Sequence, residues 1–284
     1  MIDLLWGERT YVMGIVNVTP DSFSGDGLAA PGRSEAQIVA AALDLARGFV
    51  AAGAQLLDVG GESSRPAQFY GEHPPVSAEG EAALAVPVVA ALAAELGDRA
   101  RVSIDTSKGS VARQALAAGA TIVNDVWAGR RDADTLAAAA EASAYLVVMH
   151  NKDLAEYPGG VFDEVVSWLR AAVEDAVAVG VPRERLVVDP GIGFGKTPAH
   201  SIEILHRLAE LKEALGGLPL LVGTSRKRFI GELLGGAQPD ERLEGTAASV
   251  ALAIAAGADI VRVHDVEPIM KTVRVSDGIA RWRP

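Results

Sequence analysis

The chain has 284 residues, almost half of them apolar, few aromatic, no cysteine and a net charge of −11. Without cysteine there can be no disulfide, thiolate metal site or cysteine nucleophile, and so acidic a chain lacks the basic patch a nucleic-acid surface needs. No apolar run approaches the roughly 18–20 residues of a membrane span, and the start, Met1 to Arg9, is not a signal peptide, so the expectation is a cytoplasmic protein with neither nucleic-acid nor membrane partners.

Apolar, β-rich runs near 11–16, 55–60, 101–105, 121–125, 145–149, 186–189, 219–223 and 259–264 predict strands. Ala-rich periodic stretches near 34–52, 78–96, 107–118, 132–142, 162–179, 199–215, 240–256 and 266–280 predict helices between them. Strict alternation implies parallel strands joined by right-handed crossovers. Eight such units imply a closed (β/α)8 TIM barrel, an α/β fold, and not an open sheet. Ala-Ala-Gly-Ala recurs at 51–54, 117–120 and 255–258, each time closing a helix and opening a strand. The glycine there is the expected left-handed stop. No linker or low-complexity tract divides residues 1–284, which read as a single domain.

In such a barrel the chemistry gathers where strands hand over to helices. The strand ends carry Asn17, Asp58 to Arg65, Asp105, Asn124-Asp125, Met149-His150, Asp189, Ser225-Arg226-Lys227, and Arg262 with His264. Any one of these reads equally well as a cap or loop hydrogen bond. All eight strands delivering polar groups to one rim is harder to dismiss, because neutral loops need only Gly, Ser and Pro.

The first long loop, Asn17 to Gly27, is too polar for a minimal turn; it reads as a solvated loop or as a lid whose Asn17 or Asp21 meets a magnesium–phosphate. In the second, Gly60-Gly61-Glu62-Ser63-Ser64-Arg65-Pro66, Arg65 suits a carboxylate or phosphate, or else a salt bridge to Glu62 or Asp58. Asp105, Asn124 and Asp189 are expected to converge inside the barrel mouth. There they would satisfy a flat heterocycle with adjacent N–H groups, or an internal network with Lys227 or Arg262. Arg262 and His264 alternate on the last strand, so both face one way and suit a diphosphate. His73, His200 and His206 read as surface residues, and no three histidines have metal-ligand spacing. Asp189-Pro-Gly-Ile-Gly-Phe-Gly-Lys-Thr197 ends like a nucleotide phosphate loop, but the residue five before Gly195 is Pro190, where that motif requires glycine.

Taken together, Asn17-Val-Thr-Pro-Asp-Ser-Phe23, Gly60-Gly-Glu-Ser-Ser-Arg-Pro66, Asp105-Thr-Ser-Lys108, Asn124-Asp125, Asp189 to Lys196, Ser225-Arg-Lys227 and Arg262-Val-His-Asp-Val266 occur in an order that resembles the dihydropteroate synthase family, from about residue 10 to 280. The resemblance implies a transferase of folate biosynthesis, a sulfonamide target, usually a homodimer. It joins 6-hydroxymethyl-7,8-dihydropterin diphosphate to 4-aminobenzoate, releasing pyrophosphate. It further implies that Asp105, Asn124, Asp189 and Lys227 hold the pterin, with Met149, Phe194 and Gly223 lining its slot and Arg262 over its face. Asn17, Arg65, Arg262 and His264 would take the diphosphate, with Mg2+ on Asn17. Thr19, Pro20, Phe23, Ser64, Arg65, Pro66, Ser225 and Lys227 would form the aminobenzoate pocket. Asp105, Lys227, Arg262 and His264 would carry catalysis, and Lys196 drops to a structural role.

Three departures from the family pattern stand out. Ser64 replaces a threonine and keeps its hydroxyl. Ser24-Gly25-Asp26-Gly27 shifts the lid acid's alignment by a residue, between Asp21 and Asp26. Asn151-Lys152-Asp153 replaces the family's usual loop after His150. A pterin-dependent methyltransferase would have no use for the first loop or for Ser225-Arg226-Lys227. A silent pterin-binding paralogue should have lost Asn17, Asp21, Arg65 or His264, and all are present. The final helix pair is the expected dimer surface.

Overall fold

The structure, a computed structural model, describes residues 2–19, 27–30, 32–62 and 76–283. Strands and helices alternate: β1 (Tyr11–Asn17), α1 (Glu35–Ala52), β2 (Leu56–Gly60), α2 (Ala78–Leu96), β3 (Arg101–Asp105), α3 (Gly109–Ala117), β4 (Ile122–Asp125) and α4 (Asp134–Glu141). Then follow β5 (Tyr145–Met149), α5 (Val161–Val179), β6 (Leu186–Asp189), α6 (Pro198–His206), α7 (Leu208–Ala214) and β7 (Leu221–Val222). The chain closes with α8 (Arg228–Leu233), α9 (Leu243–Ala255), β8 (Ile260–Val263) and α10 (Val266–Ala280).

The eight strands form one parallel sheet in the order β6-β5-β4-β3-β2-β1-β8-β7. Its two ends meet through an isolated bridge, Val188 opposite Leu220, where the Val188 N–H donates to the Pro219 carbonyl at 2.9 Å. The fold is the (β/α)8 barrel. Each Ala-Ala-Gly-Ala glycine stops its helix as expected, with φ of 115° at Gly53, 108° at Gly119 and 96° at Gly257.

Side chains alternate in and out along each strand, and this parity decides what reaches the mouth. The inward set of the lower barrel is apolar: Met13, Leu56, Ile122, Val147, Val187, Leu221 and Ile260 pack together, with Leu4 of the N-terminal segment closing the floor. Two residues further along the same strands, the inward positions become Asp58, Asn124, Met149, Asp189, Gly223 and Arg262. The outward set, from Val12 to Val261, packs the barrel against its helices. The strands thus carry a dry plug below and polar groups above it.

One expectation about helices needs correction, and one helix, α8, was not expected. The helix predicted near 199–215 is two, broken at Arg207 (φ −102°, ψ 22°), where the guanidinium lies over the Phe162 ring, 3.4 Å from its centroid. The short α8 carried too few turns for a period to show in the sequence. Among the described residues no helix is long and apolar enough to cross a membrane.

Candidate active site

Backbone register sets the rim residues side by side. Asn17 pairs with Gly60, Gly60 with Asp105, and Asp105 with Asn124. A methyl group added at Gly60 would lie 3.8 Å from Asp105 Oδ2 and 3.9 Å from Asn17 Oδ1, so both oxygens overlook that glycine. On the far side Met149 pairs with Asp189.

Across the mouth Arg262 joins two carboxylates. Its Nε donates to Asp58 Oδ2 at 2.6 Å and its Nη2 to Asp105 Oδ2 at 2.9 Å. Asn124 Nδ2 also donates to Asp58 Oδ2, at 2.9 Å. Thus the internal network weighed from the sequence exists, with Arg262 as its cation. Burial pushes the Asp105 carboxyl up, Arg262 opposes this, and the Asp58, Glu81 and Asp125 carboxylates add to the rise. Burial likewise pushes Asp189 up, to about 6, against the Gly191 N–H and the Lys227, Lys196 and Arg262 charges. Carboxylates held this close to neutrality are typical of binding and catalytic sites.

The loop after β6 is built around its glycines. Gly191 (φ 67°) passes so close to the His150 carbonyl that a Cβ would lie 2.0 Å from the oxygen, and its N–H donates to Asp189 Oδ1 at 2.7 Å. Gly193 (φ 79°) leaves room for Lys227, whose Cδ would be 3.2 Å from a Cβ there. The Lys227 ammonium sits 4.0 Å from the centroid of Phe194, a cation–π contact. Arg226, in the left-handed region at φ 59°, turns the chain so that Lys227 faces this ring, and its guanidinium is fixed by Asp265 at 2.7 and 3.0 Å. Ser225 Oγ accepts from the His264 N–H at 3.2 Å and lies 3.0 Å from His264 Nδ1, so the two side chains form one unit. Gly223 faces Arg262, 3.9 Å from the Arg262 Cβ to a Cβ built there.

Lys196 turns away from the mouth. Its buried ammonium is 2.7 Å from His150 Nδ1 and donates to the carbonyls of Gly191 at 3.0 Å and Phe194 at 3.1 Å. Three donors meet three acceptors, and no carboxylate is among them. Burial pushes Lys196 down to about 7, and burial with the Lys196 charge pushes His150 down to about 2. His150 is off the parity of Met149 and therefore lies outside the barrel interior, edge-on to Trp168 at 5.2 Å. Lys196 ties the glycine loop to β5, which is the structural role expected of it. Asp125, also outward, accepts from Trp127 N, Gly129 N and Thr135 Oγ1 and serves as a local cap.

One reading from sequence changes. His200 is not a plain surface residue: its ring packs edge-on against Tyr157 at 4.8 Å, and Tyr157 Oη donates to the Gly195 carbonyl at 2.6 Å. Asp58 accepts from Arg262, and Glu62 pairs with Lys108 at 2.5 Å and accepts from the Val76 N–H at 3.0 Å. Lys108 also pairs with buried Glu81. Thr19 lies buried beside the rim segment of β1. Pro20, Phe23, Ser64, Arg65 and Pro66, with the lid acids Asp21 and Asp26 and with His73, lie outside the described residues. Sequence reasoning placed Asp58 at the rim and weighed it as a partner of Arg65, but gave it no place in the slot beside Asn124 and Arg262. The signal for that place was present, an acid two residues past Leu56 inside an apolar strand and so on the inward parity.

The barrel mouth thus brings Asp105, Asn124 and Asp189 together with Lys227 and Arg262, a set of polar groups that could hold a flat, donor-rich heterocycle. The chain belongs to the pterin binding enzyme family, whose model matches residues 13–264. It is 42% identical over 285 residues to the dihydropteroate synthase of Synechocystis, covering 98% of this chain and 92% of that one. Its structure is similar to the dihydropteroate synthase of Clostridium difficile crystallised with pteroic acid, at a TM-score of 0.88 and 41% identity, covering 99% of this chain and 100% of the other. The enzyme of Xanthomonas albilineans with 4-aminobenzoic acid is similar at a TM-score of 0.86 and 39% identity, over 98% of this chain and 95% of its own.

Proposed function

We infer that this chain is a dihydropteroate synthase, a transferase of folate biosynthesis that condenses 6-hydroxymethyl-7,8-dihydropterin diphosphate with 4-aminobenzoate. The observation that carries the reading is the inward row of Asp105, Asn124 and Asp189 beside Lys227 and Arg262, in a chain related over nearly its whole length to enzymes of that name. Ring N–H and amino groups of a pterin match three acceptors, and Lys227 suits its carbonyl. Lys227 and Arg262 face the pterin, while Arg262 and the Ser225–His264 unit stand nearest the diphosphate. In the reaction the carbon–oxygen bond to diphosphate breaks with its electron pair, and the amine lone pair forms the new carbon–nitrogen bond. The amine proton leaves to solvent. Charge separates on an electron-rich ring, so buried carboxylate at Asp105 stabilises the developing cation. No covalent bond to the enzyme is required.

Asn17 Oδ1, an oxygen donor at the rim beside Gly60, would suit a magnesium ion held mainly by diphosphate and water. Bound there, magnesium would neutralise the departing anion. The test is pyrophosphate release from the pterin diphosphate. Release that requires both 4-aminobenzoate and magnesium is expected; none with both substrates and the metal present would sink the reading.

A second copy of this chain is the proposed partner on α9 and α10. These helices pack together and leave Leu252, Val275 and Ile279 exposed, with Trp282 just beyond, a patch of the kind that marks an interface. Sedimentation should give twice the chain mass, and Leu252→Asp with Ile279→Asp should sediment as a monomer. An unaltered mass in that double variant would place the contact elsewhere.

A further inference from the structure

The pterin reading gives a ligand contact to Asp105, Asn124, Asp189, Lys227 and Arg262, and none to Asp58. Yet Asp58 is fully buried on the inward face of β2, and one of its oxygens, Oδ2, accepts from two of those five residues. Its other oxygen, Oδ1, is buried with no hydrogen-bond partner among the described residues. Both Oδ2 bonds go to residues of the proposed site, so this side chain ties Asn124 to Arg262.

We propose that Asp58 is the positioning residue of the pterin slot, fixing the direction of the Asn124 amide and the plane of the Arg262 guanidinium and thereby the ring chemistry the slot accepts. The proposal deepens the pterin reading and rests on it. The two ends of an asparagine amide have nearly the same shape and opposite hydrogen-bonding sense. With one Nδ2 hydrogen committed to Asp58, the carbonyl Oδ1 and at most one further N–H, in a fixed order, are what the amide offers a ligand. Turned round, Oδ1 would face Asp58 Oδ2 with no proton between two buried acceptors. Arg262 is planar and rigid, and bonds from Nε to Asp58 and from Nη2 to Asp105 define its plane. When a ligand engages Asp105, the bond to Asp58 keeps Arg262 in place.

With the amide so fixed, Asp105, Asn124 and Asp189 all present acceptors. A pterin offers ring N–H and 2-amino donors to such a row. Its 2,4-dioxo analogue replaces the amino donor by a carbonyl, and acceptor then meets acceptor. Sites built from buried polar groups discriminate strongly between such analogues, because a mismatch strands a buried group.

The experiment compares the parent chain with Asp58→Ala, which removes both bonds, and Asp58→Asn, which keeps the shape and removes the charge. Calorimetry measures binding of 6-hydroxymethyl-7,8-dihydropterin and of its 2,4-dioxo analogue. Nitrogen-15 spectra of the unliganded proteins follow the Arg262 Nε–H and Asn124 side-chain amide signals. Both variants should shift those signals and weaken pterin binding by at least about tenfold, the loss of roughly one charge-assisted hydrogen bond. The preference for pterin over its dioxo analogue should shrink, and the loss should appear in KM for the pterin diphosphate more than in kcat. Unmoved signals with parent-like affinity and preference in both variants would overturn the proposal. If Asp58→Ala does not fold, Asp58→Asn carries the test. A parent chain that prefers neither ring would defeat the pterin reading instead, and the unliganded spectra then decide on Asp58 by themselves.

Discussion

Lys227→Ala should lower kcat/KM for the pterin diphosphate at least about a hundredfold, close to 2.7 kcal/mol of transition-state stabilisation. The side chain brings a positive charge into a mouth that already holds the Asp58, Asp105 and Asp189 carboxylates. It lowers the Asp189 carboxyl, which burial alone pushes up. Without it that carboxyl rises further, and less of it is ionised at neutral pH. The substitution should barely touch the fold, because the backbone bonds at this position remain: Lys227 N to Thr224 O and Ile230 N to Lys227 O, both 3.1 Å. Lys227 starts α8 without a side-chain cap bond. Steady-state pyrophosphate release measures the effect and thermal melting gives the control. Activity within tenfold of the parent would mean that the pterin slot is misplaced.

Asp105→Asn separates activity from stability. Turnover should fall by at least about a hundredfold, since the variant has no carboxyl that can ionise against the cation developing in the proposed reaction. The fold should gain, and the pH dependence gives the sign. The folded-state carboxyl is raised, so its stabilising share is complete below the usual carboxylate value of about 4 and disappears as pH climbs through the raised one. The groups that set this rise are burial first, then Arg262 in opposition, with Asp58, Glu81 and Asp125 adding to it. Arg262 is not stranded, because Asp58 still accepts its Nε–H at 2.6 Å. Melting temperatures at pH 5 and pH 8.5 should therefore show the asparagine variant gaining on the parent at the higher pH. A constant difference between the two would refute that account of Asp105.

The barrel was legible because its strands are short aliphatic runs and its helix stops repeat. The rim was legible because every strand ends on a polar residue or has one within two residues of its end. Asp58 was named at the rim but not joined to Asn124 and Arg262, because attention went to the loop beyond it; in-and-out parity from Leu56 would have placed it inside. The same parity separates Met149, which faces the interior, from His150, which does not, although the two are neighbours in sequence. Lys196 could be set aside from sequence, because the phosphate-loop pattern failed at Pro190. Its three acceptors could not be foreseen, since two are backbone carbonyls of a loop whose path depends on left-handed glycines. His200 looked like a surface residue because nothing in the sequence ties it to Tyr157.

The sheet closes where β6 meets β7, through one isolated bridge. Asp189 ends one side of that line, and Gly223 and Lys227 follow the other. A pterin held by Asp189 and Lys227 would span it. The substrate would then act as a removable stave, replacing with side-chain contacts the backbone bonds that the closure lacks. Ligand stabilisation of the native state would concentrate on local opening along this line rather than spread over the barrel. The part of the barrel that breathes most readily would be the part that the substrate locks.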